Sequence, residues 1–407
     1  MLKQSFNIEA ISKIISKRDV WKWSLWNNNS EHEKCLIELE RKINSNKYSI
    51  APFKEHIHKN KKTFQASSIE DTLSIKLLDK YLRRIYKVKQ SDRQKLILQI
   101  KSLLTDNEDF KIIRLDIEKC YESINFSKIL SRLESDMLLA PNCLQLLNSI
   151  HDICEKQKIS GLPRGLSISP TLTELFLEKI DKGLKHQDGV IYFRRYVDDY
   201  FIIVECGKES TIEGYIINEL DQIGLNINKK SDKYAIAPSR DCCFDYLGYN
   251  FSTIYKEKKE NTVNLCISNS KLSRIKSKIA LSFNDYKTNK NFNLLKQRIN
   301  YLSSIRIIKK HENGTLLGGI AYSYCHVTDD FELLKKIDGF YIKMINSKRF
   351  GLTVAQQNEL KKKSFYGFVK NKKKSTFTRK KVQHGMATHF QTKKLRGKCF
   401  LNSTGGK

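Results

Sequence analysis

Two adjacent carboxylates, Asp198 and Asp199, interrupt an otherwise apolar stretch. Val190-Ile191-Tyr192-Phe193 leads up to them, and Tyr200-Phe201-Ile202-Ile203-Val204 leads away. Both runs are aromatic and β-branched, so both read as strands. The carboxylates then fall at the tip of a β-hairpin. Charges between strands destined for burial cost free energy unless something pairs with them. A divalent metal is the obvious partner. A polar turn is the plain alternative, since Asp is a common turn residue, and the pair alone does not separate the two. A metal site requires a further carboxylate that a sheet can bring to the same edge.

Asp116 meets that requirement. Phe110-Lys111-Ile112-Ile113-Arg114-Leu115 reads as a short strand with Asp116 at its C-terminal end. A helix start follows near residues 125–127. That helix carries Ile129, Leu130, Leu133 and Met137 and stops at Pro141, and a second apolar helix holds Leu144, Leu147 and Ile150. Folded into one sheet, the strand ends at Asp116 and Asp198 can face each other. Such carboxylates can hold two Mg²⁺ ions about 3.5–4 Å apart, the arrangement for in-line displacement at phosphorus. Hard oxygen ligands suit Mg²⁺, with Mn²⁺ as the alternative ion, better than zinc.

Charge says what such a site acts on. The 407 residues include 74 Lys and Arg against 44 Asp and Glu, a net charge of +30. That excess implies a polyanionic partner, most often nucleic acid. An anionic membrane surface is the competing partner, but no apolar run approaches spanning length, so no membrane association is expected. Met1-Leu2-Lys3-Gln4-Ser5-Phe6 lacks the apolar core of a signal peptide. Ten Cys are scattered with no Cys-x-x-Cys pair, which argues against zinc and for free thiols in the cytoplasm.

Around these landmarks the chain reads as α+β. Residues 1 to about 50 look helical, with Ile8, Ile11, Ile14 and Ile15 on one face and Trp21, Trp23 and Trp26 following. Lys59, Lys61 and Lys62 lie in a basic stretch suited to nucleic acid. An apolar helix from Ile69 to Tyr86 comes next, with Asp71 in its first turn complementing the macrodipole. Residues 160–170 form a Gly- and Pro-punctuated loop, with Ser169 as helix N-cap and Pro170 as first helical residue. Ser210 and Glu213 read as a capping box. Cys243 to Phe251 reads as one strand. From about residue 269 the pattern turns to Lys- and Arg-rich helices. Residues 361–407 are basic, with Lys372, Lys373 and Lys374 among interleaved aromatics that fit single-stranded nucleic acid.

Taken in order, these segments resemble a reverse transcriptase. Leu115-Asp116-Ile117 with Tyr121 resembles the first catalytic motif, and Leu162-Pro163-Arg164-Gly165 with Ser169-Pro170 the second. Tyr196-Val197-Asp198-Asp199 resembles the third and is the most specific match. The stretch from Gly224-Leu225 through Lys230 resembles the fourth, and Tyr246-Leu247-Gly248-Tyr249 the primer grip. The resemblance implies a right-hand polymerase. Fingers and palm with an antiparallel sheet would span 51–255, after an N-terminal helical extension over 1–50. A helical thumb would span 256–350, followed by a basic C-terminal extension over 351–407. No segment is then left for a ribonuclease H or endonuclease domain.

The roles implied by the resemblance follow position by position. Asp116, Asp198 and Asp199 are the catalytic carboxylates. Asp116 and Asp198 hold metal, assisted by the backbone carbonyl of Ile117, and Asp199 supports them. Tyr121 is the gate that excludes a ribose 2′-OH. Lys230, or Lys229, lies near the triphosphate. Arg164 stands where the family commonly has Gln and, with Gly165, faces the nucleotide. Tyr246, Leu247 and Gly248 form the primer grip.

The implied partners are an RNA template and a DNA product. Arg195 before Tyr196 is similar to bacterial retron and group II intron enzymes. Gly319-Ile320-Ala321-Tyr322-Ser323-Tyr324, the helix from Leu333 to Phe340, and Ser364-Phe365-Tyr366-Gly367 are similar to bacterial defence-associated reverse transcriptases. Those enzymes copy a dedicated noncoding RNA, act against phage, and in some cases work with a second reverse transcriptase; self-association is the other arrangement. A retron enzyme, a template-independent DNA polymerase and a non-catalytic RNA-binding scaffold are the alternatives.

Overall fold

Residues 3–45, 48–58, 61–231, 233–257, 259–311, 314–328 and 331–366 are described by a computed structural model. Lys59, Lys372, Lys373 and Lys374 lie outside the described residues. The chain divides into two units: Met1–Asp92 with Asp109–Pro238, and Arg93–Glu108 with Ser239–Lys407.

The first unit holds a hairpin, β1 (Lys54–His58) and β2 (Lys61–Gln65), and a four-stranded sheet. That sheet comprises β3 (Phe110–Asp116), β4 (Val190–Tyr196), β5 (Asp199–Glu205) and β6 (Ala235–Pro238), in the order β4-β5-β3-β6. Every neighbouring pair is antiparallel. Tyr200 to Val204 of β5 are all buried. A central strand covered on both faces reads as a continuous apolar run rather than an alternating one, which is why residues 200–204 carry no polar side chain but the Tyr200 hydroxyl. The helices Ser169–Lys185 and Glu209–Gln222 pack against this sheet. They share its core with Leu73, Leu77, Leu78 and Leu82 of the helix Ile69–Ile85 and with Leu133, Leu147 and Ile150.

Several local expectations change. The N-terminal region is three helices, Ile8–Ser12, Lys17–Trp23 and Asn29–Ile43, so Ile14 and Ile15 fall between the first two. Asp71 does lie in the first turn of its helix, but it is also buried and accepts from the Tyr48 hydroxyl at 3.0 Å, while Ser68 caps the helix by accepting from the Asp71 N–H. Ser169 is not an N-cap. It sits inside the helix, and its hydroxyl donates to the Pro163 carbonyl at 2.7 Å, tying the preceding loop down. Ser210 and Glu213 form no capping box, because the helix begins at Glu209, two residues before the Thr211 start that a Ser210 cap would give. The Glu209 carboxylate accepts from the Gly207 N–H instead, at 2.7 Å, and Glu213 is taken by the Tyr234 hydroxyl.

The second unit contains the antiparallel sheet β7 (Cys243–Tyr246), β8 (Tyr249–Ile254) and β9 (Thr262–Ile267), in that order, and the hairpin β10 (Arg306–His311) and β11 (Gly314–Gly318). Cys243 to Phe251 is therefore not one strand. Leu247 and Gly248 take φ of 46° and 85° and turn the chain between β7 and β8. Positive φ at both loop residues matches the twist of a tight hairpin. Helices Asn269–Asn289, Phe292–Ser303, Glu332–Asn346 and Val354–Lys361 make up most of the rest. The helix Arg93–Leu104, which precedes β3 in sequence, belongs to this unit. The described cysteines are free thiols. No helix among the described residues is long and apolar enough to cross a membrane.

Candidate active site

The antiparallel register of the first sheet decides which carboxylates meet. β5 lies between β4 and β3, with Asp199 opposite both Tyr196 and Asp116. Val197 and Asp198 make the two-residue turn beyond that row. Val197 has φ 63°, a left-handed conformation that is an outlier for a β-branched residue. It costs an L-residue about 1–2 kcal/mol. The turn is fastened to β3 where the Ile117 N–H donates to the Asp198 carbonyl at 3.1 Å. Carboxylate oxygens of Asp116, Asp198 and Asp199 consequently lie within 4.8 Å of one another.

A fourth segment closes around Asp116. Its backbone carbonyl accepts from the Asn228 N–H at 2.8 Å, and its carboxylate accepts from the Asn228 side chain at 3.2 Å. Lys233 Nζ reaches the same carboxylate at 3.3 Å. The register explains why Lys233 is the lysine that arrives. Arg114 of β3 pairs with Ala235 of β6. Continuing two residues along each antiparallel chain sets Asp116 beside Lys233. Lys229 and Lys230 are exposed, and the Lys230 backbone N–H donates to the Asn228 side chain at 3.4 Å. The sequence motif drew attention to Lys230; only the β6 pairing singles out Lys233, and that strand is too short and mixed to read from sequence.

Three carboxylates this close repel. Burial, and then the charge of Asp116, push the Asp198 carboxyl above its ordinary range. Burial, with Asp116 and Asp198, pushes Asp199 to about 7. Lys233 counteracts both shifts. Its own pKa is raised, because the carboxylates, Asp199 foremost, outweigh the burial that would lower it. A crowded, half-buried set of hard oxygen donors with one lysine among them suits a hard divalent cation.

Tyr121 stands next to this cluster, half-buried in the short helix Cys120–Ser123. Burial, then Cys120 and Asp198, raise its hydroxyl to about 12. The Arg164 guanidinium lies over the Tyr121 ring at 4.7 Å and forks onto Glu122, with both hydrogen bonds at 3.0 Å. Burial would raise Glu122, but Arg164, with a smaller contribution from Lys61, holds it below its ordinary value. The backbone of the same loop is clamped at two points. Leu162 N–H donates to the Tyr121 carbonyl at 2.7 Å, and Phe64 N–H of β2 donates to the Arg164 carbonyl at 2.7 Å. Gly165 has φ 108°, and a Cβ there would stand 2.7 Å from the Phe64 carbonyl oxygen, so only glycine fits. Arg164 is thus engaged within the protein, at the edge of the site. Lys61 and Lys62 on β2 are exposed, with Lys62 paired to Glu55 at 3.1 Å.

Residues 67–251 match the family model described as reverse transcriptase (RNA-dependent DNA polymerase). The chain carries a reverse transcriptase domain. No curated protein matches the chain. The match supports a nucleotidyltransferase class and RNA-directed DNA polymerase activity, and implies binding of a nucleic-acid template and product. Its family generally works with divalent metals, and the acidic cluster lies within the matched span.

Tyr246, Leu247 and Gly248 belong to the second unit. There the Leu247 carbonyl accepts from both Arg93 Nε, at 2.9 Å, and Arg93 Nη2, at 2.6 Å. Arg93 Nη1 donates to the Ser323 carbonyl at 3.0 Å, and its guanidinium lies 5.1 Å from the Tyr249 ring centre. One arginine thus fixes the tight turn of the reverse transcriptase domain's last hairpin.

The raised carboxyls carry a stability sign. Their folded pKa exceeds the ordinary value of 3.8. Metal-free protein therefore keeps this contribution below that value and loses it as pH rises through the folded pKa, about 7 for Asp199. Its melting temperature is expected to fall from about pH 5 to about pH 8, and Mg²⁺ to raise it more at the upper end, where the ionised form is available to bind. Lys233→Gln should deepen the fall, and Asp199→Asn should flatten it. Equal Mg²⁺ effects at both ends, with Asp199→Asn indistinguishable from the parent, would count against the carboxylate cluster as the titrating group.

Proposed function

We propose that the chain is an RNA-directed DNA polymerase that adds deoxynucleotides by two-metal nucleotidyl transfer at Asp116, Asp198 and Asp199. The observation that carries this reading is the pairing of Asp116 with Asp199, which gathers three carboxylates at one sheet edge. Asp116 and Asp198 would hold Mg²⁺, or Mn²⁺, with Asp199 and the Ile117 carbonyl in support. Bound there, the ions lower the pKa of an attacking hydroxyl and neutralise triphosphate charge.

The protein's own groups prepare that chemistry. Asn228 and Lys233 fix the Asp116 carboxylate and offset part of the negative charge until substrate arrives. The Tyr121 ring, held under Arg164, would fill the space a ribose 2′-OH needs. Gly165 lets the loop backbone approach β2 closely. In right-hand terms, the four-stranded sheet acts as palm, the β1–β2 hairpin with Lys61 and Lys62 as part of the fingers, and the helices from Asn269 as thumb, with a basic extension after residue 350.

We further propose that the template is a dedicated noncoding RNA and the setting bacterial antiphage defence. The support is the similarity of Gly319-Ile320-Ala321-Tyr322-Ser323-Tyr324 and the 333–340 helix to that group. Sequencing the RNA and DNA that co-purify with the protein tests this. One abundant noncoding RNA and its complementary DNA are expected; a branched RNA–DNA product would instead indicate a retron enzyme, and heterogeneous cellular RNA would remove the dedicated template.

A further inference from the structure

Two residues before the hairpin turn, Arg195 is buried, with its side chain 3% exposed. All three of its guanidinium nitrogens are engaged. Nε donates to both Asp181 oxygens, at 3.0 and 3.1 Å. Nη2 donates to Asp181 at 2.6 Å and to Glu174 at 2.8 Å. Nη1 reaches forward to the Val197 carbonyl at 2.7 Å. Glu174 and Asp181 are two turns apart on one face of the helix Ser169–Lys185. The Arg195 carbonyl is itself pinned by the Ser91 hydroxyl at 2.9 Å.

A charge buried this deeply cannot leave its partners without a large loss, and a planar guanidinium presents its donors in fixed directions. The helix therefore sets the guanidinium, and the guanidinium sets the Val197 carbonyl. Val197 is the residue in the unfavourable left-handed conformation, and the next residue is Asp198. We infer that the Arg195–Asp181–Glu174 cluster is a positioning device for Asp198: it holds Val197 in its strained conformation through the carbonyl and so aims the Asp198 carboxylate at Asp116. This rests on the polymerase reading of the site. A cluster that merely stabilises the palm would look the same in a melting curve, so the test must separate turn geometry from stability.

Glycine makes the separation, because it adopts positive φ without a Cβ penalty and needs no clamp to stay there. Arg195→Lys supplies one ammonium that cannot grip the helix carboxylates and the Val197 carbonyl in the same geometry. Its kcat for deoxynucleotide incorporation, per folded molecule, should fall about 10- to 100-fold, the scale of a small misplacement of a reacting group. Adding Val197→Gly should recover at least about fivefold of that loss per folded molecule, while the melting temperature changes little, since relief of the left-handed strain is offset by glycine's looser unfolded chain. If Arg195→Lys does not fold, Asp181→Asn, which loosens the fork and keeps the arginine, decides through the same pairing with Val197→Gly. The inference is overturned if glycine restores no activity in the foldable background, or if activity follows the folded fraction alone. If the unmodified protein incorporates nothing, the polymerase reading fails and this inference with it; if it incorporates and glycine does not rescue, only this inference falls.

Discussion

Asp198→Ala is expected to abolish deoxynucleotide incorporation while making the metal-free protein more heat-stable. Loss of activity should reach at least about 10³-fold, the scale on which a preorganised electrostatic partner of developing charge is felt. The stability gain has a separate origin. Asp198 is half-buried, its carboxyl is raised by burial and by Asp116, and it helps to raise Asp199. Removing it relieves a repulsion that the folded chain tolerates without a cation, much as other functional sites hold groups at the expense of stability. RNA binding should survive, because a +30 chain retains its cationic surface. A primer-extension assay, a thermal melt in chelator and an RNA gel shift on one preparation check all three. Persisting incorporation would remove Asp198 from the metal site. An unchanged or lower melting temperature above about pH 7 would contradict the crowding of the three carboxylates.

Tyr121→Ala should open the site to ribonucleotides. The Arg164 guanidinium covers the ring at 4.7 Å, and the Tyr121 backbone carbonyl is bonded to the Leu162 N–H, so ring and backbone are both held where the proposed gate needs them. Its loss is expected to lower the preference for dNTP over rNTP, as a ratio of kcat/KM, by about 10- to 100-fold, in the range that a change in pocket filling commands. Tyr121→Phe keeps the ring and the stacked arginine, and should keep most of the preference. Glu122→Gln, which weakens the fork on Arg164, should fall between the two. A ratio unmoved by Tyr121→Ala would take the gate out of this account, whatever happened to the overall rate.

Much of this site is legible in the chain because strand ends are. The aromatic, β-branched runs on either side of Asp198-Asp199 read as the two strands of a hairpin, of which β5 is buried along residues 200–204 while β4 turns Phe193 inward and Ile191 outward, and Asp116 closes a run of the same kind. Local chemistry was less secure near polar residues. Ser169 has the composition of an N-cap, yet its hydroxyl went to Pro163. Ser210 lost its place to a helix that began two residues sooner and used Glu209. Hydroxyl and carboxylate side chains have several backbone partners within reach, and which one wins depends on where the flanking helix packs. Cys243 to Phe251 reads as a strand because Leu247 is apolar, and nothing in its side chain announces a positive φ.

Lys233 shows the boundary most clearly. Three lysines follow Asn228 within five residues, and composition does not rank them. The ranking comes from β6 pairing with β3 more than a hundred residues away in the chain, an alignment that sequence periodicity does not encode. Arg195 is the same case with a helix in place of a strand: its partners Glu174 and Asp181 became partners only when the helix was laid against β4. Burial patterning and net charge, which are local or additive, were enough to pick out the carboxylates, the strands that carry them and an expected polyanionic partner. Residue order does not say which lysine faces Asp116, which arginine holds the Val197 carbonyl or how Arg164 is tied to Tyr121. Those depend on contacts between distant segments, and such contacts exist only once the sheet register is set.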